Sequence, residues 1–188
     1  MGCIGIIVDG QYDEEVIRVL VKRQYPKRKL KIIKALQQRK YTKIISLMDA
    51  NKGDVDGFIW VTDAEQEDPE ELKNRMENEV RKNRERISRP VQCVVVVRML
   101  EAWLLADHAA LEKELNISVK ENISVKEIPN PEELQHPKNE LESLFRKVNK
   151  IYTKEAAKRI AEKLDMDRVR EKCTSFAQFM SALSTLAD

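Results

Sequence analysis

Gly57-Phe-Ile-Trp-Val-Thr-Asp63 decides how this chain is read. Six apolar, aromatic or β-branched residues run without a charge and stop at an acid. A run this short and this apolar predicts a strand buried on both faces, and such strands belong to parallel sheets. Cys3–Val8 and residues 91–97 repeat the pattern, and a shorter apolar run fills 30–33. Helical stripes lie between them. Asp13 is placed to cap a helix in which Val16, Ile17, Leu20 and Val21 share a face, and Pro26 ends it. Residues 41–48 place Ile44, Ile45 and Met48 on one side. Asp68-Pro-Glu-Glu71 is a helix start by capping chemistry, with an acid at the cap, proline first and Glu three residues on. That helix is expected to reach about Ile87. The order strand, helix, strand, helix, strand, helix, strand predicts an α/β fold: a mostly parallel four-stranded sheet with helices on both faces.

Beyond Arg98 the strand pattern stops. Residues 101–107, 137–148, 154–164 and 175–186 read as helices. The expected organisation is an α/β core over residues 1–100 and an all-helical portion over 101–188. Residues 116–127 spell Asn-Ile-Ser-Val-Lys-Glu twice, which reads as a loop expansion, because two six-residue units cannot bury a core.

The chain has 188 residues, 35% of them charged, with a net charge of +2. Its apolar runs are far shorter than the roughly 20 residues of a membrane span. Three scattered cysteines, Cys3, Cys93 and Cys173, form neither a disulfide framework nor a zinc motif. No basic leader precedes the first apolar run, so a reduced, cytoplasmic protein is expected. The chain carries no Walker loop, dinucleotide fingerprint or nucleophile elbow. Charge is segregated, however. Residues 22–43 hold ten basic side chains, among them Lys27, Arg28, Lys29, Arg39 and Lys40, and no acid. The run reads either as a solvated face or as a phosphate-binding patch with Tyr25 and Tyr41 available for stacking.

Sites in open parallel sheets form beyond the carboxyl ends of the strands. Three of those ends carry acid here: Asp9 after strand one, Asp63 and Glu65 at strand three, and Glu101 after strand four. Each has a structural reading, as a turn, a cap or a first-turn helix acid. Together they have the composition that a hard divalent cation takes, since Mg²⁺ uses one or two carboxylates and keeps water or phosphate oxygens. Arg98 beside Glu101 either pairs with it or holds a phosphate. Lys138 and Lys154 fall at helix starts, where the dipole disfavours cations and an anion must compensate.

An acid after strand one followed by glycine, with acid-x-acid closing strand three, resembles the Toprim fold of topoisomerases, primases and the overcoming-lysogenization-defect nucleases. That resemblance implies a Rossmann-like core and Mg²⁺-dependent (or Mn²⁺-dependent) phosphodiester chemistry. Asp9, Asp63 and Glu65 would hold the metal, and Asp9 and Glu101 would serve catalysis. Asp9 stands where that family usually has Glu, and Glu65 where it has Asp. A second resemblance covers nearly the whole chain. Glu101-Ala-Trp-Leu-Leu-Ala-Asp107, Pro131-Glu-Glu133, His136-Pro-Lys138, Tyr152-Thr-Lys154 and Ser175-Phe176 resemble an uncharacterised prokaryotic Toprim-like family, domain of unknown function family 4276. Its members are discussed with mobile-element and phage-defence functions. The expected function is nucleic-acid phosphodiester hydrolysis, with Arg98, Lys138 and Lys154 on phosphates. The alternative is a non-catalytic nucleic-acid or partner-binding module, and the low net charge leaves room for a partner protein in either case.

Overall fold

The computed structural model describes residues 2–8, 11–35, 40–116 and 124–187. Four strands form one all-parallel sheet: β1 (Cys3–Val8), β2 (Lys29–Lys34), β3 (Gly57–Asp63) and β4 (Val91–Val96), in the order β2-β1-β3-β4. Ile7 pairs with Trp60, and Asp63 with Val96. Helices α1 (Gln11–Gln24), α2 (Tyr41–Asn51) and α3 (Pro69–Lys82) make the crossovers, with a short α4 (Arg84–Ile87) before β4. The predicted α/β class and the four strands are what the structure shows.

Strand alternation divides the core in two. Ile4, Ile6, Val8, Ile59, Val61, Val94 and Val96 face one side, against α1 and the helices of the second half. Ile7, Phe58, Trp60 and Val95 face the other, against Ile44, Met48, Leu72 and Met76 of α2 and α3. Two buried faces explain why these strands read as continuous apolar runs rather than alternating ones. Gly5 in β1 is packed against Phe58: a Cβ there would stand 2.8 Å from its ring.

The second half consists of α5 (Glu101–Leu105), α6 (His108–Leu115), a 3₁₀ turn (Pro131–Glu133), α7 (Pro137–Lys147), α8 (Lys154–Lys163), α9 (Met166–Lys172) and α10 (Thr174–Ala187). α8 packs along α1. Arg23, near the end of α1, donates to the carbonyls of Ala161 and Leu164 at the end of α8, at 2.7 and 2.8 Å. The two helices therefore run parallel, with their N-terminal ends towards the carboxyl edge of the sheet. Trp103 is fully buried, its indole N–H donates to the Ser175 hydroxyl at 2.8 Å, and its ring packs against Phe176 and Phe179.

Four local expectations are corrected. Asp13 lies inside the first turn of α1 rather than ahead of its first residue. The helix beginning at Asp68, whose carboxylate does accept the Glu71 N–H at 2.9 Å, ends at Lys82. Asn83 leaves helical geometry there (φ −110°, ψ 18°) and a separate turn follows. Asp107 starts a helix rather than closing one, since it caps α6. Helices α6 and α9 lie where the sequence pattern gave none. Residues 117–123 of the tandem repeat lie outside the described residues. Its far end is packed, with Val125 buried and Glu127 paired to Lys172. Among the described residues no helix is long and apolar enough to cross a membrane.

Candidate active site

From β1 the chain crosses over α1 to β2 on one side, and from β3 it crosses over α3 to β4 on the other. Adjacent strands β1 and β3 thus send their helices to opposite faces, which opens a crevice at their carboxyl ends. Asp63 closes β3 at this crevice. It is half-buried, and its Oδ1 accepts the Leu100 N–H at 3.1 Å. That bond ties the β3 end to the entry of α5. Asp9 follows β1 in sequence but lies outside the described residues.

Glu101 is the first residue of α5 and only 6% exposed. Burial pushes its carboxyl above the usual carboxylate range. Asp13 of α1 and Glu142 of α7 push the same way, while its own backbone N–H and Lys138 pull it back. Charges on α1 (Asp13) and on α7 (Lys138 and Glu142) thus act on the carboxyl that α5 carries. Asp13 and Glu142 are absent from the sequence-based set. A one-dimensional pattern marks apolar faces and leaves unstated which polar residues of separate helices meet.

The other expected residues are dispersed. Glu65 is exposed, on a left-handed backbone (φ 52°), and its N–H donates to the Arg98 carbonyl at 2.8 Å. Arg98 is left-handed too (φ 63°), and its guanidinium returns a bond to the Glu65 carbonyl at 3.2 Å. Arg98 thus braces the loop that follows Asp63 instead of reaching Glu101. Lys154 opens α8 behind its cap Thr153, which accepts the Ala156 N–H at 3.2 Å. In the basic run, Arg28 donates to the Leu186 carbonyl, and Lys31 and Lys34 pair with Asp54 and Glu14. Lys27, Lys29 and Lys40 are exposed, and Arg39 lies outside the described residues. Among the described residues no group of three or more His, Cys, Asp or Glu side chains is placed to hold a metal ion.

Asp107, at the end of the Glu-Ala-Trp-Leu-Leu-Ala-Asp stretch, is structural. It caps α6 through the Ala109 and Ala110 N–H groups, accepts the Asp165 N–H at 2.8 Å and pairs with Arg168 at 2.6 Å. Burial pushes its carboxyl up, but these donors outweigh burial and hold it below the usual range. Glu132 is likewise a clamp, accepting the Thr174 and Ser175 N–H groups at the start of α10. The motif residues thus separate into a core anchor (Trp103), two clamps (Asp107, Glu132) and a buried acid at the sheet edge (Glu101).

These features define an open-sheet α/β protein in which Asp63, at the end of β3, is tied to the entry of α5. Residues 6–184 match the family described as domain of unknown function DUF4276, and the chain belongs to that family. No curated protein and no solved structure matches the chain.

Proposed function

We propose that this chain is a Toprim-like, Mg²⁺-dependent (or Mn²⁺-dependent) phosphodiester hydrolase acting on nucleic acid. The observation that supports it is the switch-point crevice, where Asp63 ends β3 one hydrogen bond away from the helix entry that carries buried Glu101, with Lys138 acting on the same carboxyl. The donor set suits a hard cation: Asp63 is a carboxylate at a strand end, and Mg²⁺ needs only one or two such groups. Asp63 and Asp9 would hold the ion, with Glu65 at the rim. Bound there, the metal would activate water and offset charge on the phosphoryl group.

The protein's own groups do the rest. Glu101, its proton held more tightly by burial, is suited to give that proton to a leaving oxygen, while Asp9 serves as ligand or general base. Lys138 holds phosphate oxygens beside Glu101. Lys154, at the N-terminal end of α8, is the second lysine this reading assigns to phosphate. The second reading, a nucleic-acid or partner-binding module without cleavage, is favoured by Glu65, the longer acid of the acid-x-acid pair, which is exposed on a left-handed turn. Mn²⁺ titration over a panel of DNA and RNA substrates separates the two. The hydrolase cleaves at least one substrate in a metal-dependent way, and Asp63→Ala lowers that rate by about 100-fold or more. Binding without cleavage at any metal concentration identifies the module.

A further inference from the structure

On the sheet face opposite α1, a cavity of about 320 Å³ opens at the same carboxyl edge. The start of α2, the end of β3 and the first half of α3 enclose it. Its floor is apolar, formed by the buried side chains of Ile44, Trp60 and Leu72. Tyr41 stands on one wall, edge-to-face with Trp60 at 5.5 Å between ring centroids. The inner end is polar, carrying Thr62 and Asp63, and the rim holds the ion pair of Glu67 and Arg75.

We propose that this cavity is a subsite for a single nucleobase, delivered either by a free nucleotide or by an unstacked position of a strand. A nucleobase has two apolar π-faces and a hydrogen-bonding edge, and the cavity offers an apolar floor with an aromatic wall and a polar inner end. An aliphatic ligand would desolvate Thr62 and Asp63 without replacing their hydrogen bonds, which is costly. A bare sugar phosphate would waste the apolar floor. The volume falls at the lower end of the range for small-molecule pockets, roughly 300–1,000 Å³. Lys40 and Lys43, both exposed beside Tyr41, offer positive charge outside the cavity to the phosphate that a nucleotide carries.

The subsite deepens the hydrolase reading and rests on it for its purpose. Asp63 belongs to both places: it lines this cavity and closes β3 at the crevice. A base seated here therefore lies against Asp63, the carboxylate that the hydrolase reading assigns to the metal. Bases read outside the helical stack are held by stacking on aromatic side chains and by contacts to their polar edge.

The test needs no cleavage. The intact protein, kept in chelator, is titrated with AMP, GMP, CMP and UMP, with ribose 5-phosphate as the base-free probe, and with a short single-stranded oligonucleotide. Tryptophan fluorescence is the readout, since Trp60 lines the cavity while Trp103 is locked between Phe176 and Phe179. At least one mononucleotide is expected to give a saturable change, and ribose 5-phosphate none. Tyr41→Ala should weaken that binding roughly 5- to 150-fold, the worth of one stacked base, and Tyr41→Phe should restore it. Response to the oligonucleotide but to no mononucleotide assigns the base to a strand; response to both assigns it to either source. No saturable response to any base-bearing ligand overturns the proposal. So does an equal response to ribose 5-phosphate, a comparison made on the wild-type chain that stands whether or not a variant folds. Nucleotide binding without cleavage of any strand sinks the hydrolase reading and leaves the subsite standing. Metal-dependent cleavage without nucleotide binding does the reverse.

Discussion

Glu101 shows how one buried side chain couples stability to pH. Its carboxyl ionises in the ordinary range in the unfolded chain but at higher pH in the fold, because burial opposes its charge. Between those two values the folded state binds more protons than the unfolded state. Its contribution is therefore fully favourable below the ordinary glutamate pKa of about 4.3 and is lost as pH rises through the folded value. Glu101→Gln removes the conflict. We expect the variant to gain about 0.5–2 kcal/mol over wild type at pH 8, as substitutions that relieve a strained site do, and to gain much less at pH 4. Urea unfolding at the two pH values measures this. An advantage of equal size at both would mean that Glu101 carries no buried charge. The same variant should lose hydrolysis, since glutamine cannot give up a proton. Asp63 and Glu101 were both legible in the sequence as acids after apolar runs. Asp13 was legible only as a cap, because its electrostatic effect on Glu101 depends on the tertiary fold rather than on the local pattern.

The helix starts carry the next level. Lys138 is the second residue of α7 and Lys154 the first of α8, at the ends where a helix dipole repels cations. α3 does the opposite and begins with Glu70 and Glu71. Lys138 already acts on Glu101, so phosphate would join an existing charge field. Replacing both lysines by alanine should weaken nucleic-acid binding and reduce the slope of log K against log salt by about one unit per lost contact. An unchanged slope with intact circular dichroism would make both lysines structural. Elements were legible where apolar residues were periodic or continuous, which is why β1, β3, β4 and α7 stand out. The missed helix α9 is seven residues long, with Val169 its one fully buried residue, so it has almost no stripe to read. Its signal is the cap: Asp165 accepts the Asp167 and Arg168 N–H groups, as Asp107 does for α6. The boundary between α3 and α4 was missed because Asn83 breaks a helix through backbone geometry rather than through a change in polarity.

At the scale of the molecule, the sheet and the helical half share one apolar cluster. It runs from Ile4 in β1 to Leu183 in α10, and it includes Trp103, Phe145, Phe176 and Phe179. Residues 1–100 alone would leave Ile4, Ile6, Val61 and Val96 covered by α1 only. We therefore expect a 1–100 fragment to show no cooperative thermal transition, whereas the full chain unfolds in one. A sharp transition in the fragment, followed by circular dichroism, would show that the sheet stands without α5–α10. The parallel pairing of α1 with α8 has a further consequence during synthesis. The outer side of α1 leaves the ribosome well over a hundred residues before α8 is made, an interval of roughly 6–30 s at 5–20 residues per second. Throughout that interval Arg23 has no α8 carbonyls to donate to. The nascent chain therefore carries that apolar face uncovered for longer than most small domains need to fold.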